Sequence, residues 1–140
     1  MLFRSHNGDL WEQTLSEFRD RGQRAAATQG DFGPLITALD DEVEIFSEDV
    51  PYRFDGKENY LEFLQSAAAG AESTTISFHQ PSYRAISETT GLFNSYHRLA
   101  ATPKGGGAPR VQCGRTTMVL AKRGTQWKIV SAHFSPLAKE

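Results

Sequence analysis

The chain has 140 residues, 39% of them apolar, which suits one domain (1–140) around one core and leaves no room for a second. Its 15 Lys and Arg against 17 Asp and Glu give a formal net charge of −2, with no concentrated basic face, so nucleic-acid and membrane-surface partners are not expected. Cys113 is the only cysteine and excludes an internal disulfide; with no signal-like apolar run at the start and no stretch of about 18 uncharged apolar residues, a soluble cytoplasmic protein is expected.

In chain order, Asp9-Leu10-Trp11-Glu12 has the spacing of a capping box and predicts a helix start. Trp11, Leu15, Phe18, Gly22 and Ala25 then recur at helical spacing as an uncharged stripe. Gly30 is the expected stop, and Asp31 can cap a short second helix carrying Phe32, Leu35, Ile36 and Leu39, with Pro34 in its first turn. From Asp41 the period changes to two, with Val43, Ile45 and Ser47 on one side and Glu44 and Phe46 on the other, which predicts a half-buried strand. Asp49-Val50-Pro51 is a turn, Tyr52-Arg53-Phe54 a short returning strand, and Asp55-Gly56-Lys57 a further break. Tyr60, Leu61, Phe63 and Leu64 predict a third helix that closes at Gly70.

The second half reads as strand after strand: 74–78 continuing past Pro81 to 86, then 90–102, 111–122 and 126–135. Pro103-Lys104-Gly105-Gly106-Gly107 and Arg123-Gly124-Thr125 are the hairpin loops between them. Helices followed by a run of strands predict an α+β domain with helices on one face of an antiparallel sheet.

This order of elements resembles that of NTF2-like (cystatin-like) proteins, in which a curved sheet wraps its helices into a cone. The ending strengthens the likeness. Gly114-Arg115-Thr116-Thr117, the hairpin Lys122-Arg123-Gly124, then Trp127-Lys128-Ile129-Val130 and His133-Phe134-Ser135 resemble the ending of SnoaL-like members. They also resemble the association (hub) domain of calcium/calmodulin-dependent protein kinase II. The hub likeness extends back through Gly30-Asp31-Phe32, Thr74-Thr75-Ile76 and Ser95-Tyr96-His97-Arg98-Leu99.

Alternation between 90 and 102 puts Leu92, Asn94, Tyr96, Arg98 and Ala100 on one face and Phe93, Ser95, His97 and Leu99 on the other. Both faces are partly apolar, so both are expected to be covered, one by helices and one by another subunit. The resemblance implies a homodimer or larger homo-oligomer through the convex face, here assigned Trp127, Ile129, His133 and His97. It implies a concave pocket lined by Tyr96, Arg98, Met118, Phe134, Phe54, Trp11 and Phe18. In the hub, an arginine matching Arg98 belongs to a pocket of several arginines that accepts small carboxylates; two of the others fall on Met118 and Phe134 here.

A guanidinium on an apolar surface needs a carboxylate or another anion. Arg98 is therefore read either as paired with Glu44 or Glu62, or as the anchor of a small anionic or aromatic ligand. The histidines His6, His79, His97 and His133 lack metal-ligand spacing, so no metal is expected, and no cofactor is implied. Cys113 reads as a small apolar residue. The first functional reading is a free-standing homo-oligomeric domain of unassigned activity whose pocket around Tyr96 and Arg98 binds a small anionic or aromatic molecule. The second is an isomerase or lyase of the SnoaL or ketosteroid-isomerase kind, with Glu44, Asp40 or Asp41 as the carboxylate base and Tyr96 as the donor. The third is an assembly module whose pocket is vestigial.

Overall fold

The computed structural model describes residues 33–138. The predicted first helix, with Trp11 and Phe18, lies outside them. Within them run α1 (Gly33–Ala38), β1 (Leu39–Phe46), β2 (Arg53–Asp55), α2 (Lys57–Ala69), β3 (Ala71–Ala85), β4 (Thr90–Pro103), β5 (Arg110–Arg123) and β6 (Gln126–Pro136).

The six strands form one sheet in the order β2-β1-β6-β5-β4-β3. Neighbours are antiparallel except β1 and β6, which run parallel. This order makes β2 and β3 the two edges, and α2 is the segment that joins them. Five inter-strand gaps of about 4.8 Å would set the edges of a flat sheet about 24 Å apart. A helix of 13 residues reaches only about 20 Å. With the links through Gly56 and Gly70 the connection can span that distance, and the helix packs across the curved sheet against β1, β2 and β3.

Boundaries differ from the sequence reading where two periods compete. Leu39, read as helical, starts β1, pairs with Ile129 and is buried. Its apolar neighbours fit either period, and pairing across the sheet decides. β3 begins at Ala71, directly after the helix-ending Gly70, rather than at Thr74. Pro81 sits within β3 at a register shift between His79 and Ser82, where Gln80 takes φ 54°. An edge strand tolerates this because proline's missing N–H faces no neighbour.

The inner face of the sheet carries the core: Val43, Ile45, Phe78, Phe93, Met118, Leu120, Ile129 and Ala132, closed by Phe54 and Tyr60. Burying each aromatic or branched side chain contributes about 1.5–3 kcal/mol. In β4 the buried set is Gly91, Phe93, Ser95 and His97. Tyr96 and Arg98 point outward, Tyr96 being 47% exposed. The sequence reading of this strand was inverted. Both faces mix aromatic and polar residues, so alternation alone separates them without saying which is inner.

β6 departs for a different reason. A register shift puts Leu120 opposite Ile129 but Val119 opposite Ser131, so Val130 is an extra residue. The bulge breaks the period of two, and Ile129 and Ala132, three apart, both face inward. Ile129 and His97, assigned to a subunit interface through the resemblance, are interior residues. His133 is exposed and lies against the ring of Phe46 at 5.4 Å, while Trp127 is partly buried against the core. No helix among the described residues is long and apolar enough to cross a membrane.

Candidate active site

A cavity of about 190 Å³ opens between α2, the β1–β2 connection and the inner faces of β3, β4 and β6. Its apolar wall is Phe63, Leu64, Ile76, Leu99, Ala101 and Phe134. Its polar wall is Ser47, Glu48, Asp49, Tyr60, Thr74 and His97. A dry apolar hole of about 150 Å³ accepts benzene, so this space suits a one-ring molecule. Among the described residues no lysine or arginine lines it.

The polar wall centres on one buried pair. His97 Nε2 lies 3.2 Å from Glu48 Oε1, with the two side chains 2% and 9% exposed. His97 Nδ1 lies 2.6 Å from the buried Thr116 hydroxyl. An ionised carboxylate only accepts, so with Glu48 ionised the ring carries its proton on Nε2 and donates it. In the neutral ring the Thr116 hydroxyl then donates to Nδ1, and in the imidazolium Nδ1–H donates to it; both ring nitrogens are satisfied either way. Glu48 Oε2 has no hydrogen-bond partner among the described residues.

Neighbouring strands hold this arrangement. Gly114 stands opposite His97 across the β4–β5 ladder. A Cβ on Gly114 would sit 2.6 Å from His97 Cε1 and 2.7 Å from Nε2. The imidazole therefore lies in space that only glycine leaves open. Phe134 packs edge-on to the ring at 5.7 Å.

Tyr60, on α2, is 8% exposed and packs edge-on against Phe54 and stacks with Phe63. Its hydroxyl has no hydrogen-bond partner among the described residues. Burial first, and the negative charge of Asp49 second, push its pKa up to about 12. Both disfavour the phenolate, so Tyr60 is a neutral donor at any ordinary pH.

The residues singled out from sequence scatter around this centre. Phe134 lines the cavity, Met118 lies in the core on the same face, and Phe54 braces Tyr60 and Phe63 from behind. Tyr96 and Arg98 are outside, on the opposite face of β4, because the strand's faces are reversed relative to the reading. Glu44 is exposed on the outer side of β1, and its carboxylate pairs with Arg53 at 3.4 Å. Neither Glu44 nor Glu62 pairs with Arg98 among the described residues. Asp40 pairs with Arg123 at 3.3 Å, and Asp41 is exposed. Cys113, read as a small apolar residue, is exposed opposite Arg98. Among the described residues, no group of three His, Cys, Asp or Glu side chains could hold a metal ion.

Sequence reasoning missed Glu48 and gave His97 the wrong face. His97 had a usable signal. Counting outward from the β4–β5 loop, Ala101 faces Arg110 and His97 faces Gly114, a large ring opposite no side chain. Glu48 lies beyond the end of β1, where alternation no longer applies.

Known proteins place the geometry in a family. No curated protein matches this sequence. Among solved structures, a provisionally named scytalone dehydratase from Novosphingobium aromaticivorans DSM 12444 is similar at TM-score 0.80 and 11% identity, covering 94% of this chain and 87% of that one. A hexachlorocyclohexane dehydrochlorinase (LinA) of type 2 aligns at TM-score 0.73 and 13% identity, covering 96% and 93%. The CaMKII hub of S. rosetta aligns at TM-score 0.69 and 20% identity, covering 89% and 95%. At these identities the likeness shows a shared fold, the NTF2-like one of a curved, unclosed six-stranded sheet with a few helices. The profile of the SnoaL-like domain matches residues 23–139, and the chain belongs to that SnoaL-like family.

Proposed function

We propose that the protein is a lyase or isomerase in which Glu48 takes a carbon-bound proton from a small one-ring molecule held in the cavity. The observation that carries this is the state of the Glu48 carboxylate. It is nearly buried in a mostly apolar space, one oxygen is tied to His97, and the other has no partner among the described residues. A base needs that combination of a fixed position, a dry surrounding and a vacant lone pair. The fold is shared with structures named for a dehydratase and a dehydrochlorinase, both of which eliminate. That likeness supports the reaction class.

In an elimination, Glu48 Oε2 takes the proton, the C–H electron pair becomes the new C=C bond, and the leaving group departs with its own bonding pair. His97 Nε2–H holds Oε1 throughout and fixes the carboxylate's orientation. The neutral Tyr60 hydroxyl is the donor available to a carbonyl or leaving oxygen. In an isomerisation, protonated Glu48 returns the proton to a second carbon.

The test is a screen of one-ring β-hydroxy ketones and alicyclic chlorides, each with and without an amino substituent, read by the new alkene. Glu48→Gln keeps the size of the side chain and is expected to lower turnover by about 10²–10⁴-fold. Glu44→Gln, on the outer surface, leaves turnover intact. A Glu48→Gln protein as active as the wild type removes Glu48 from the base role.

Self-association is a second part of the reading. Phe46 and Tyr96 are large aromatics 45% and 47% exposed on the outer side of the sheet, a covering another copy would provide. A monomer by sedimentation at micromolar concentration contradicts it.

A further inference from the structure

We infer that the cavity selects a positively charged ligand, a small one-ring amine in its ammonium form, and rejects the isosteric carboxylate. This rests on the cavity being the substrate site.

Two carboxylates line the space, Glu48 and Asp49, and among the described residues no lysine or arginine does. Among the described residues the one basic group there is His97. Even as an imidazolium it can balance only one of them, and as a neutral ring it balances none. With both carboxylates ionised, the described lining is net negative, neutralised on at most one of the two. Asp49 makes no ion pair among the described residues, and its carboxylate accepts one long hydrogen bond, from the Ser47 hydroxyl at 3.5 Å. An unpaired carboxylate at the rim of an apolar space is an incomplete ion pair, and a cation completes it.

Two further features point the same way. Tyr60, Phe63 and Phe134 place aromatic rings on the walls, and the face of a ring attracts an ammonium group. Tyr60 is more than nine-tenths buried with a hydroxyl that has no partner among the described residues. That hydroxyl can accept from an ammonium N–H as well as donate. Its ionisation is resisted partly by Asp49, so the field of Asp49 reaches the interior wall. The arginine on which an anionic ligand was expected, Arg98, is on the other side of the sheet.

The experiment compares three probes of one size, benzylamine, benzyl alcohol and benzoate, by ligand-observed NMR titration of the wild type and of Asp49→Asn at pH 7. The ammonium form is expected to bind about 5–10-fold more tightly than the alcohol, from one partly exposed ion pair and a ring contact. Benzoate is expected to bind more weakly than the alcohol. Asp49→Asn, exposed and close in size, brings the amine-to-alcohol ratio down toward unity. Benzoate binding as well as benzylamine overturns the inference, as does an unchanged ratio in Asp49→Asn or the absence of binding by all three. Charge ranking and catalysis fail separately. A ranking that holds while Glu48→Gln retains full turnover removes the base and keeps the ligand preference, and the converse pair of results does the reverse.

Discussion

Replacing Gly114 by alanine tests how the imidazole is held. The new Cβ falls 2.6 Å from His97 Cε1 and 2.7 Å from Nε2, against about 3.5–4.0 Å for an ordinary carbon contact. It also meets the backbone oxygen of Ser135, so the main chain of β6 blocks escape on that side. The Nε2 edge of the ring must retreat by about 0.8 Å or more to restore contact distance. The bond to Glu48, already 3.2 Å long, has little room to stretch before it is lost. Overpacking costs about 1–3 kcal/mol, and a buried polar group left unpaired about 1–3 kcal/mol more. In a domain of this size the sum lowers Tm by about 5–15 °C. Differential scanning calorimetry measures it, and a cycle with His97→Ala separates the ring clash from the backbone clash. Gly114→Ala should cost less when His97 is already alanine, because only the Ser135 contact is left. A Gly114→Ala protein with wild-type Tm, or a cost that is the same in both backgrounds, refutes the claim that this glycine makes room for the ring.

Tyr60 gives a pH signature with a definite sign. An unfolded tyrosine ionises near pH 10, whereas the folded one holds its proton to about pH 12. Stability is therefore full below pH 10 and falls by about 2–3 kcal/mol as pH rises to 12, because only the unfolded state releases the proton in that window. Urea midpoints at pH 9 and 11.5 should converge for Tyr60→Phe and separate for the wild type; equal slopes contradict the burial argument. On the outer face, Tyr96→Asp should weaken self-association in sedimentation, while Arg98→Ala leaves benzylamine binding unchanged. A loss of cavity binding in Arg98→Ala would put that arginine back in the site.

The succession of elements was legible because each carries its own local signal. Helical spacing at Tyr60, Phe63 and Leu64, the glycines at 105–107 and at 124, and long apolar alternations each mark a segment without reference to the rest. The site was less legible because it depends on which face is inner. In β4 both faces carry an aromatic and a basic or imidazole side chain, Tyr96 with Arg98 and Phe93 with His97. The choice between them turns on what lies across the ladder, Gly114 for His97 and Cys113 for Arg98. In β6 a single extra residue, Val130, moves Ile129 inside, and nothing in Trp-Lys-Ile-Val-Ser-Ala announces it. Glu48 was hidden among acids. Asp40, Asp41, Glu42, Glu44, Glu48 and Asp49 fall within ten residues, and only the curl of the chain after β1 turns Glu48 under α2 toward His97.

In the proposed reaction Glu48, held by His97, removes a proton from carbon inside this cavity. Deuterium incorporation measures that step without requiring the leaving group to depart. One-ring ketones bearing an amino group, incubated with the protein in D₂O, should lose the signal of the acidic C–H in proton NMR. Glu48→Gln should lose this exchange while still binding benzylamine. Exchange at the wild-type rate in Glu48→Gln would contradict the account.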